Sequence, residues 1–128
     1  MIGDSVADAM EHSPHALESL NNGYSVRLQT RGCRRLRSPS CTIAGSNGPP
    51  QTALQVVNRL GAALGQTVVV DVGYNDTPQH YNRDLNAVMR ALKRVGVQTV
   101  VWPRCVTRTA TTRHPTKTSR PGCRNGRN

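Results

Sequence analysis

A chain of 128 residues, 36% apolar, with no Phe and with Trp102 as its only Trp, holds one domain and must build its core from Val, Leu, Ala and Met; a second full domain is excluded at this size. The net charge of +10 suits a polyanionic partner, but residues 1–102 hold ten Lys/Arg against seven Asp/Glu, while residues 103–128 hold seven and no acid. The excess belongs to the tail, and no helix-turn-helix, RNP-like motif or aromatic interleaving points to specific nucleic-acid binding. No apolar run approaches the roughly 20 residues needed to span a bilayer. No basic stretch followed by an apolar one marks an export signal near Met1, so for a secreted protein the expectation is a leader that has been lost or lies upstream of Met1.

In chain order, Ile2 runs into Gly3-Asp4-Ser5, after which Val6, Ala9 and Met10 share one face of a short helix. Ser13 as N-cap and Pro14 at the first helical position predict a second short helix with Leu17 and Leu20 inward, closed by Asn21-Asn22-Gly23. Tyr24 to Thr30 alternates, with Tyr24, Val26 and Leu28 on one side, and reads as a strand. Gly32 to Pro50 is rich in Arg, Ser, Gly and Pro without a period, which predicts a long loop. Ala53, Val56, Val57, Leu60, Ala63 and Leu64 recur at helical spacing up to Gly65.

Thr67 to Val72 is a β-branched run of the kind buried on both faces in parallel sheets, with Asp71 a capped or partly exposed strand residue. Thr77-Pro78 opens a helix whose stripe is Leu85, Val88, Met89, Leu92 and Val95, ending at Gly96. Val97 to Trp102 reads as a further buried strand. Strands alternating with helices imply right-handed crossovers and an α/β fold: a three-layer, flavodoxin-like parallel sheet with helices on both faces. From Pro103 onward no apolar period remains, and that basic tail, residues 103–128, is expected to be disordered.

Four cysteines occur, none in a CxxC pair and none with His at zinc-finger spacing, so no metal site is expected. Cys33 and Cys41 flank a short polar segment; a local disulfide in an oxidising compartment and two free thiols both fit. No GxGxxG or phosphate-gripping loop follows the first strand, so no cofactor is expected despite the sheet topology that flavin binders share.

Open parallel sheets bind ligands at the carboxyl ends of their strands, and two motifs fall there: Gly3-Asp4-Ser5 and Gly73-Tyr74-Asn75-Asp76. A Ser at a strand-to-helix turn can present its hydroxyl for attack on an ester and its own N–H as an anion donor. An Asn side chain at the same edge can supply a second donor to the developing oxyanion. The sequences "IGDSV" and "VVVDVGYND" resemble the first and third conserved blocks of SGNH (GDSL-like) hydrolases over residues 1–102, and "CRRL" with "PPQTALQVV" is similar to secreted actinobacterial members.

That resemblance implies a serine esterase acting on small acyl esters or acetylated sugars, with Ser5 as nucleophile and Asn75 as oxyanion donor. It further implies a Gly donor after the second strand, for which Gly32 is the candidate and Gly45 its competitor. The family's DxxH block, which carries the base, is missing: no acidic residue follows Asp84, and His114 has no Asp three residues earlier. The domain reads as incomplete at both ends and impaired as an enzyme. His12, His15 and His80 read as solvated helix residues rather than replacement bases. The tail reads as a shifted frame of a GC-rich gene, since the frame one base earlier admits a decoding of 111–123 that suits a helix. The alternative function is a non-enzymatic basic protein whose Arg-rich tail holds anionic polymers.

Overall fold

The computed structural model describes residues 1–103; the readings of the tail, Cys105, Cys123 and His114 lie outside the described residues. Four strands form one all-parallel sheet: β1 (Ile2–Gly3), β2 (Gln29–Thr30), β3 (Thr67–Asp71) and β4 (Thr99–Val101), in the spatial order β2-β1-β3-β4. Among the described residues the α-helices are α1 (Ser5–Glu11), α2 (Pro14–Asn21), α3 (Ala53–Leu60) and α4 (Tyr81–Arg94). The α/β class and the parallel sheet read from the sequence hold.

Successive strand residues point to opposite faces, and β1 shows what each face meets. Ile2 belongs to a buried cluster with Val56, Val57, Val68, Val70, Val88 and Leu92, so α3 and α4 cover that face. Gly3 turns the other way, where a Cβ would collide with the Cβ of Ala7 in α1. The sheet is therefore sandwiched. Ala7 is the buried residue of α1, whereas Val6 is 58% exposed and Ala9 is exposed. The predicted face of Val6, Ala9 and Met10 is thus corrected, because only a small side chain fits over Gly3 and Thr30.

α2 forms as read, with the Ser13 hydroxyl accepting from Ala16 N–H, but Leu17 and Leu20 are only half-buried. Of the strand expected over 24–30, only Gln29–Thr30 pairs, and Tyr24 is exposed. The β1–β2 ladder covers Ile2–Gly3 with Gln29–Thr30, and ahead of it Arg27 O accepts from the Met1 amino group at 2.6 Å. The helix expected to run to Leu64 stops at Leu60 and continues as a 3₁₀ turn over Gly61–Leu64, since Gly61 adopts φ 52°. Its start is secured by a capping box between Thr52 and Gln55.

β3 is buried on one face only: Val68 and Val70 face the core and Val69 is half-covered. The region after Thr77 makes turns before α4 begins at Tyr81. α4 buries Asp84, Val88, Ala91 and Leu92, while Met89 is largely exposed, which rotates its inner stripe toward Ala91. Finally, among the described residues β4 pairs with β3 alone and shows two exposed residues of three, so within them it is an edge strand rather than a buried one.

Candidate active site

In the register of the sheet, Gly3 pairs with Thr30 on one side and Asp71 on the other, so these three residues form one row at the carboxyl ends of β1, β2 and β3. Ser5 follows that row by two residues, Gly32 by two and Asn75 by four. All three expected site residues leave the sheet at the same edge. β1 and β3 are also where the strand order reverses direction, the crevice in which doubly wound sheets hold ligands.

Local chemistry explains each placement. Asp4 is 2% exposed and caps α1, its carboxylate accepting Val6 N–H at 3.0 Å while its own N–H donates to Asp71 O at 3.0 Å. That cap starts the helix at Ser5, which is left exposed with its N–H among those that have no intrahelical acceptor. Gly73 has φ 144°, open to glycine alone, and a Cβ there would press on the Tyr81 ring at 3.0 Å. The turn after it carries Asn75, whose Nδ2 donates to Arg34 O at 3.2 Å. A carboxamide has two N–H donors, so one remains for a ligand. Asp76 accepts Leu36 N–H with both oxygens at 3.1–3.2 Å.

The long loop is as read, and its two cysteines are joined: Cys33 and Cys41 form a disulfide with Cα atoms 5.7 Å apart. Cys33 takes φ 61°, a left-handed conformation for a residue with a side chain. Gly45, the competing donor, has φ 79° in a turn closed by Ser46 N–H to Ile43 O at 3.0 Å, which accounts for its being glycine. Gly32 lies beside Ile43, which with Arg31 and residues 46–50 walls an open cavity of about 240 Å³.

The segment Arg34–Arg37, noted in the sequence only through the likeness of "CRRL" to secreted relatives and given no role there, proves to be the hub of this edge. Arg34 is buried; its Nη1 donates to Gly3 O at 3.0 Å and to Gln29 O, and its Nε donates to Gln51 O at 2.9 Å. Leu36 is fully buried, the one apolar anchor of the loop. Arg37 lies 3.9 Å from the buried carboxylate of Asp84, which also pairs with Arg83 at 3.0 Å. A lone Leu among arginines, just after Cys33, was the available signal.

Burial pushes the Asp76 carboxyl above the usual carboxylate range, against the Leu36 N–H and Arg35, which favour its anion. Burial, with Asp4 nearby, raises Asp71 in the same way. His12, His15 and His80 are exposed, at the end of α1, in α2 and before α4. Among the described residues no cluster of three or more His, Cys, Asp or Glu could hold a metal ion, and no helix is long and apolar enough to cross a membrane. A scan against family models, a search of curated proteins and a search of solved structures each return no match to this chain.

Proposed function

We propose that this chain carries the nucleophile and oxyanion-binding part of a serine acyl-ester hydrolase of the SGNH type. The observation that carries the reading is the Gly3–Asp71 pairing of neighbouring parallel strands, which brings the Ser5 turn and the Asn75 turn to one sheet edge. In this reading Ser5 Oγ attacks the acyl carbon, the carbonyl π pair moves onto oxygen, and the carbonyl re-forms as the alkoxide leaves and takes a proton from water; a further water then hydrolyses the acyl-Ser5 ester and releases the acid. The oxyanion is met by the Ser5 N–H, the free N–H of Asn75 and the Gly32 N–H. Substrates are small acyl esters or acetylated sugars.

The sequence has no Asp-x-x-His, so the Ser5 proton passes to solvent base and turnover is slow. Donors and binding alone still leave residual catalysis when a triad member is absent. The test is acylation by p-nitrophenyl acetate at alkaline pH, followed by intact mass. A single acetyl adduct on Ser5, absent in Ser5→Ala, is expected. Asn75→Ala should slow its formation about 100-fold, the size typical for one oxyanion donor. Acetylation that ignores both substitutions would end the proposal.

A further inference from the structure

We propose that Arg34 is a positioning residue for the oxyanion site: it holds the Asn75 carboxamide in place and locks the loops that leave β1 and β2 to one another. The inference rests on the esterase reading of Ser5 and Asn75 but is argued from separate contacts.

Arg34 is 5% exposed, and a buried guanidinium survives only where its donors are satisfied. Here Nη1 and Nε donate to backbone carbonyls only. Nη1 reaches Gly3 O, immediately before the Asp4-Ser5 turn, and Gln29 O in β2; Nε reaches Gln51 O, just before the α3 cap. One planar side chain thus ties β1 and β2, which the sheet already pairs, to the segment before α3, which the sheet does not reach. Gly3 O also accepts Arg31 N–H at 3.2 Å, so the loop is attached to β1 through both residues.

The same residue then acts outward. Its carbonyl is the acceptor for Asn75 Nδ2 at 3.2 Å, and the disulfide at Cys33, with its left-handed backbone, sits directly before it. Leu36 N–H bound to Asp76 ties the other side of Arg34 to the same β3 turn. The Asn75 amide therefore takes its orientation from the Arg34 peptide, and that peptide takes its own from the guanidinium clamp. A lysine cannot substitute, because an ammonium is a point charge on a flexible stem and lacks the fixed fork.

The experiment uses the full chain with ¹⁵N-labelled asparagine, the Asn75 amide pair being assigned by its loss in Asn75→Ala. In the unaltered chain one Asn75 amide proton should exchange with water at least tenfold more slowly than the other. In Arg34→Met and in Arg34→Lys that asymmetry should disappear while the thermal transition stays cooperative. In parallel, Ser5 is labelled with a fluorophosphonate at alkaline pH. Arg34→Met should slow labelling about tenfold, and adding Arg34→Met to Asn75→Ala should slow it no further, since two residues acting as a unit are non-additive. Additive losses, or an unchanged Asn75 amide in the Arg34 variants, would overturn the positioning role. Labelling equal to that of Ser5→Ala removes the esterase reading alone, and the amide exchange still decides Arg34. If neither variant folds, the unaltered chain decides: two Asn75 protons exchanging at the rate of free asparagine refute the clamp.

Discussion

Gly3 sits where two elements meet so closely that its hydrogen is part of the fold. A Cβ would collide with Ala7 and stand 3.2 Å from Thr30 Cγ2, and overpacking of this kind costs about 1–3 kcal/mol. Gly3→Ala should therefore lower the urea midpoint by a matching amount without changing the slope. A second residue-scale effect concerns Asp76, whose pKa in the folded protein is raised by burial. A raised carboxyl binds its proton more tightly in the folded state. Its contribution is thus fully present below the ordinary carboxylate range and is lost as pH rises through the elevated value. Asp76→Asn keeps an oxygen for Leu36 N–H and removes the charge, so it should raise stability relative to the native chain at pH 7 and leave it level at pH 3, read from urea midpoints. Ser5 and Asn75 were legible from residue type and spacing because each sits in a turn that follows a strand. Arg34 was not, because its acceptors are carbonyls 5, 17 and 31 residues away in sequence.

At the scale of elements, Ser13-Pro14 opens α2 where the sequence placed it and α3 begins at Ala53 as its apolar spacing implied, whereas Thr77-Pro78 opens only turns and α4 starts at Tyr81. Strands were harder, since a strand ends where its neighbour does, and β1 supports only two paired residues of the seven expected in 24–30. The loop after β2 depends on its covalent clip. Closing a loop of the Cys33–Cys41 size, eight residues apart, should stabilise the fold by about 2–3 kcal/mol on the chain-entropy estimate. The double variant Cys33→Ala/Cys41→Ala should lose that much in guanidinium unfolding and should lose the slow Asn75 amide proton as well, because Arg34 follows Cys33 directly. A variant that loses stability but keeps the protected amide would separate the clip from the site.

At the scale of the molecule, the described residues form a sheet of four parallel strands that is covered on two faces but not at its margins. β4 has β3 as its one partner among the described residues, and Val101 is exposed on it. Unpaired edges invite association, so light scattering should report concentration-dependent self-association that Val101→Lys reduces. The amino-acid order alone determined the class of fold, the starts of the first three helices and the strand ends at which reactive side chains could stand, because periodicity, caps and β-branched runs act within a few residues. Only the tertiary structure decided that Ala7 rather than Val6 meets the sheet and that a buried arginine binds the strand-end loops together. Those outcomes depend on which backbone groups are left without partners once the sheet has formed, a property no local stretch of sequence contains.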